Sequence, residues 1–166
     1  MKKNLLSITM ATLLFSASAL SAHASDIVRH KSANAASPIA AGVEVAPGLT
    51  TFYLSGHVPP VVNTSVAKTS IEAYGDTKTQ TIGVLKQIKT TLDGMSLDFK
   101  DVVKVQVFLV ADPKLGKMDF AGFSEGYAEF FGGSQPTLAA RSTMAVAGLV
   151  NPGWLVEIEV TVAKKK

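Results

Sequence analysis

The run Val156-Glu157-Ile158-Glu159-Val160-Thr161-Val162 constrains the chain most, because it is legible on both of its faces at once. Side chains alternate across a strand with period two, so Val156, Ile158, Val160 and Val162 fall on one face and Glu157, Glu159 and Thr161 on the other. One face is core and the other carries charge. An arginine opens the preceding strand, Arg141-Ser142-Thr143, and a loop at Asn151-Pro152-Gly153 separates the two. Two carboxylates on a strand this apolar do not face bare solvent at a sheet centre without a reason, so Arg141 and Glu157 are the pair to follow.

Ahead of the fold stands an export signal. Met1-Lys2-Lys3-Asn4 is basic, Leu5 to Leu20 is apolar apart from Ser and Thr, and Ala22-His23-Ala24 fits the small-x-small cleavage rule, which predicts cleavage after Ala24. The apolar run is short and N-terminal, so no stable membrane association is expected; the product is periplasmic or secreted. Removing residues 1–24 leaves 142 of the 166 residues, one domain's worth, and takes two lysines with it, so the formal charge falls from +3 to +1. That balance supports no nucleic-acid groove, and Lys164-Lys165-Lys166 is a solvated tail. With no cysteine and only His30 and His57 in the mature chain, no disulfide, metal site or cofactor is expected.

Ser25 to Ser37, rich in Ala and Ser, is expected to be a flexible N-terminal arm, with the domain proper running over 38–166. Gly42 to Val45 and Thr50 to Ser55 have strand composition around a Pro47-Gly48 turn and predict a hairpin; Val58 to Tyr74 predicts a surface loop. Asp76 is a helix N-cap, and Ile82, Leu85, Ile88 and Leu92 make one apolar stripe that Gly94 closes. Asp101 to Val110 predicts a central strand. A second helix starts near Asp119, carries Phe120, Phe123, Tyr127 and Phe130 or Phe131 on one face as core packing, and stops at Gly132-Gly133. Two helices that need the same cover imply a single sheet with both on one face, an α+β subunit. The sheet's other face is then left for a second copy of the chain to cover.

Six motifs occur in order: Ser55-Gly56, Gly75-Asp76-Thr77, Asp101-Val102-Val103-Lys104-Val105, Tyr127-Ala128-Glu129-Phe130-Phe131, Arg141-Ser142-Thr143 and Val156-Glu157-Ile158-Glu159. Together they resemble the RidA family, also called YjgF or endoribonuclease L-PSP, across roughly Ala36 to Lys164. The resemblance implies a chorismate-mutase-like fold, a single mixed β-sheet that assembles as a homotrimer with clefts between subunits. It also implies a cofactor-free hydrolase, an imine and enamine deaminase converting reactive 2-imino acids such as 2-iminobutanoate and 2-iminopropanoate to 2-oxo acids and ammonia. Arg141 matches the carboxylate-binding arginine, a role that suits a planar two-donor guanidinium. Glu157 matches the water-positioning glutamate, while Ser55 and the backbone around Thr143 match cleft-lining positions. The chain departs from the family where Ile39 replaces a tyrosine, Ser124 an asparagine, Ala139 a proline and His57 a glutamine.

Three readings of function follow. The first is a deaminase with Arg141 as anchor and Glu157 as water-holder. The second is a non-catalytic exported trimer that binds small carboxylates in the same clefts. The third, a ribonuclease, is disfavoured by the charge of the mature chain and the lack of basic residues interleaved with aromatics. Ser142 lacks a Gly-x-Ser-x-Gly elbow and is expected to be a strand residue making a local hydrogen bond, not a nucleophile. His57 is expected to be a partly exposed turn histidine, and Glu159 a structural or interface group.

Overall fold

The structure, a computed structural model, describes residues 26–132 and 138–165. The expected export signal at 1–24, together with Gly133, Pro136 and Lys166, lies outside the described residues.

Among the described residues, seven strands and two α-helices follow in the order β1 (Ile27–Lys31), β2 (Ala40–Val45), β3 (Thr50–Tyr53), α1 (Thr77–Gly94), β4 (Val102–Asp112), β5 (Lys117–Met118), α2 (Phe120–Ala128), β6 (Ala140–Val146) and β7 (Val156–Lys164). The main sheet runs β3, β7, β4, β6, with β5 folded against the end of β4. Its β3–β7 and β4–β7 ladders are antiparallel and its β4–β6 ladder is parallel, so the sheet is mixed, as expected. The alternation in β7 holds in three dimensions: Val156, Ile158, Val160 and Val162 are buried, whereas Glu157, Glu159 and Thr161 are half-exposed. Each of those four apolar side chains contributes about 1.5–3 kcal/mol by leaving water.

Both helices pack on this apolar face, joining the core formed with Val105, Val107 and Leu109 of β4. In α1 the Asp76 carboxylate caps the Thr79 amide at 2.8 Å, and in α2 Asp119 caps Gly122 at 2.9 Å. The α1 stripe is Val84, Leu85, Ile88 and Leu92; Ile82 is only half-buried, because Val84 sits nearer the centre of the contacting face. Gly94 ends the helical span, yet Ser96 takes the left-handed conformation (φ 57°), while Leu97 N–H returns to the Leu92 carbonyl at 2.8 Å.

Two expectations change. The Pro47-Gly48 turn does reverse the chain, but β2 and β3 do not form a hairpin: β2 pairs with β1, and β3 pairs with β7. Part of the segment expected to be a flexible arm is therefore strand β1. Its Arg29 extends to the Lys100 carbonyl at 2.7 Å and to that of Leu138, tying the β1–β2 ribbon to the main body. The 58–74 segment crosses the surface as expected but is well anchored, with a single 3-10 turn at Ile71–Ala73 and Pro60 packed so tightly on Gly83 that a Cβ there would lie 2.8 Å from its ring.

Among the described residues, no helix packs on the second face of the main sheet, which carries Lys104, Gln106, Phe108, Ser142, Met144, Glu157 and Glu159. Tyr53 on that side is 83% exposed.

Candidate functional site

Cross-strand partners share a face, so the register decides which side each residue serves. Arg141 lies opposite Val105 and Thr143 opposite Val107, on the helix side; Glu157 lies opposite Phe108 and Glu159 opposite Gln106, on the open side. Arg141 and Glu157 thus leave one subunit in opposite directions, and the structure does not bring them together within a single chain.

On the helix side, the Arg141 guanidinium rests against the aromatic stripe of α2. Its carbon is 4.4 Å from the Tyr127 ring centroid, 5.1 Å from Phe123 and 5.9 Å from Phe120. Cation–π attraction partly offsets the loss of water around the charge. Burial pulls the Arg141 pKa below its ordinary value, with the neighbouring Tyr127 acting the other way. Nη1 of Arg141 is buried without a hydrogen-bond partner, as is Oγ1 of Thr143 two residues along the same strand face. The stripe expected to be pure packing therefore has two uses. Phe123, Tyr127 and Phe131 are fully buried core, while Phe120 is 45% exposed and borders the arginine. Phe120 also lines a concavity of about 440 Å³ with Leu115, Lys117, Met118, Asp119 and Ala121.

Ser124 belongs to this stripe, spaced from Phe120 and Tyr127 by one helical turn. Its hydroxyl donates to the Phe120 carbonyl at 2.7 Å. Ile39 is half-buried just before Ala40, whose N–H donates to the Ala139 carbonyl at 3.0 Å, two residues from Arg141. Arg141 and Thr143 thus lie on β6, Ser124 on the helix whose rings flank Arg141, and Ile39 just before the residue that joins β2 to the start of β6.

Glu157 and Ser55 form a second cluster. Tyr53 faces Thr161, yet His57 faces Ile158, so four steps along the β3 side match three along β7. The extra residue is a β-bulge around Ser55-Gly56, a device that re-aims side chains at functional sites. Glu157 folds its carboxylate over the bulge: a Cβ on Gly56 would lie 2.0 Å from Oε1. Only glycine leaves that space, and Ser55 beside it is exposed.

His57 turns the other way. Its Nδ1 lies 2.9 Å from the Ser55 carbonyl and its Nε2 2.9 Å from the Thr91 hydroxyl on α1. A carbonyl can only accept, so Nδ1 donates to it, and in the neutral ring Nε2 accepts from Thr91. His57 braces the bulge and does not reach the Glu157 carboxylate's side. Ser142 accepts from Lys104 Nζ at 2.9 Å, the local strand contact expected of it.

Sequence reasoning missed Gln80. Fully buried, it donates through Nε2 to the Gly75 and Gly153 carbonyls at 2.9 and 3.0 Å and accepts from Leu155 N–H at 2.7 Å, fixing the loop that delivers β7. It also missed Tyr127 as a neighbour of Arg141; the i, i+4, i+7 spacing from Phe120 was the available signal.

A model of the family described as endoribonuclease L-PSP matches residues 31–164. A RutC family protein of Pyrococcus horikoshii is 33% identical over 132 residues, covering 80% of this chain and 94% of its own length. A solved structure of a Rid family protein from Yersinia pestis superimposes with a TM-score of 0.61 at 22% identity, over 84% of this chain and 99% of that one. A yeast protein of solved structure, 28% identical, covers 84% of this chain and 97% of itself with a TM-score of 0.54. The order of strands and helices, the family match over residues 31–164 and the similarity to the Pyrococcus relative agree: the chain belongs to the endoribonuclease L-PSP family, also called RidA or YjgF.

Proposed function

We propose that the protein hydrolyses reactive 2-imino acids or their enamine tautomers to 2-oxo acids and ammonia, in clefts between the copies of a homotrimer. The observation that carries this reading is the placement of a desolvated, under-partnered Arg141 on one face and a glycine-cradled Glu157 carboxylate on the other. Among the described residues β6 pairs with β4 alone, so a neighbour can approach Arg141 with its own open face and bring its Glu157 there. Assembly would also cover the sheet face that the chain's own helices leave bare.

In that cleft Arg141 takes the substrate carboxylate in a two-donor grip. Glu157 of the adjacent copy accepts a proton from water as the oxygen adds to the imine carbon. It returns that proton to nitrogen, giving a carbinolamine; the same carboxylate then takes the hydroxyl proton and hands it to nitrogen as the C–N bond breaks, so that ammonia leaves a 2-oxo acid behind. Ser55, exposed at the bulge, is placed to hold the water or the nitrogen. No cofactor enters these steps. The concavity lined by Phe120 offers space for a substrate side chain.

The second reading, a trimer that binds small carboxylates without turnover, draws on Ser124, whose hydroxyl is already committed to Phe120. Measuring ammonia and 2-oxo acid from imino acids generated in situ by an amino-acid oxidase separates the two. The deaminase reading requires acceleration by the parent that disappears in Arg141→Ala and falls strongly in Glu157→Gln. Binding without acceleration across short, branched and aromatic substrates supports the alternative. The N-terminal segment supports export to the periplasm or beyond, and N-terminal sequencing of protein from the extracytoplasmic fraction should begin at Ser25.

A further inference from the structure

On the helix side of β6, Nη1 of Arg141, Oγ1 of Thr143 and the hydroxyl of Tyr127 are buried with no well-formed hydrogen bond beyond the contact of the Arg141 guanidinium with Tyr127 itself. Tyr127 is fully buried, and its ring is the nearest of the three under the Arg141 guanidinium, at 4.4 Å. A guanidinium has donors only, so whatever it gives the phenol oxygen, it cannot take the phenol's proton. The proton of Tyr127 and an N–H of Arg141 are thus both without an acceptor. Buried polar groups are paired in the great majority of proteins, and an unpaired set rich in donors marks a place where an acceptor binds.

We propose that Tyr127 is a substrate-binding residue, its hydroxyl donating a further hydrogen bond to the carboxylate that Arg141 holds. This rests on the reading of Arg141 as the carboxylate anchor. The ligand class is a small 2-oxo or 2-imino acid, because the acceptor must be an anion to satisfy Arg141 and small enough to reach a hydroxyl inside the core. Burial pushes the Tyr127 phenol up to about 12, which keeps it protonated and a donor at neutral pH. Stacking on Phe131 at 4.7 Å fixes the ring, so the hydroxyl is already oriented before the ligand arrives.

The test uses the mature protein and Tyr127→Phe, which keeps the ring and removes the donor. Calorimetric binding of 2-oxobutyrate should weaken about ten- to a hundredfold, as expected for a lost hydrogen bond to a charged group. KM for the imino acid should rise similarly, with a smaller change in kcat, while the melting temperature stays level or rises. Equal binding by parent and variant overturns the proposal, as does a parent that binds no 2-oxo acid. A parent that binds 2-oxobutyrate through Tyr127 yet releases no ammonia removes the deaminase reading and keeps this one; turnover unaffected by Tyr127→Phe does the reverse. Should the variant fail to fold, the near-ultraviolet difference spectrum of the parent decides. A phenol donating to an anion shifts its absorption, and that shift should survive in Tyr53→Phe and Tyr74→Phe. No shift on saturation with 2-oxobutyrate overturns the proposal.

Discussion

At Gly56 one hydrogen atom stands where any other side chain would meet a carboxylate. Gly56→Ala puts a methyl carbon 2.0 Å from Glu157 Oε1, an impossible contact. Because the clashing atoms are the far end of a flexible side chain, Glu157 gives way and the backbone does not. Stability should drop by about 1 kcal/mol or less. Turnover should fall by about ten- to a hundredfold, because a water-holding carboxylate is sensitive to shifts of an ångström. Thermal melting beside imine hydrolysis checks both; an intact rate would mean that Glu157 does not work from this position. Tyr127 supplies a pH prediction. Burial raises its folded pKa to about 12, above the roughly 10 of an unfolded tyrosine. The contribution is therefore fully present below pH 10 and is lost as pH rises toward 12, a loss of about 2–3 kcal/mol. Urea denaturation across that window should show the parent losing stability as pH rises, while Tyr127→Phe, with no phenol to ionise, shows no such loss.

The elements differ in how plainly the sequence announces them. In β7 both faces are marked, by Val and Ile on one side and by Glu and Thr on the other, so local pattern suffices. The capping aspartates Asp76 and Asp119 are as plain, since cap chemistry is local. Partnership is not local: Pro47-Gly48 announces a reversal, but nothing in it says that β2 turns to β1 and β3 to β7. The identities of Arg141 and Glu157 were legible, whereas their separation onto opposite faces follows from the register of β6 and β7 on β4, which spans dozens of residues. Gln80 was invisible because an amide inside a helix reads as solvent-facing until the 153–155 loop is seen folded over it. Two element-scale outcomes follow. Gln80→Ala strands one N–H and removes a donor from two carbonyls, at about 1–3 kcal/mol for a buried group left unpaired, measurable as a lower urea midpoint with unchanged slope. Ser96→Gly relieves a left-handed residue at the end of α1 and should stabilise by up to about 1 kcal/mol, read from the same curves.

For the whole molecule, Arg141 and Glu157 lie on opposite faces of one sheet, so the proposed function requires a site shared between subunits. If each cleft takes Arg141 from one copy and Glu157 from the next, Arg141→Ala and Glu157→Gln are each inactive in isolation but complementary in mixture. Unfolding the two together in equal amounts and refolding them distributes subunits at random around a cyclic assembly. A given cleft is then intact when the copy supplying Arg141 comes from the Glu157→Gln pool and its neighbour from the other. That happens for about one cleft in four, so refolded mixtures should recover about a quarter of parental turnover. The same proteins mixed without unfolding should recover far less if subunits exchange slowly. Recovery confined to co-refolded samples establishes a shared site, since opposite faces of one sheet offer no route for it inside a chain. No recovery, with trimers confirmed by sedimentation, means that the two residues never serve the same cleft, and Glu157 then loses its place in the proposed chemistry.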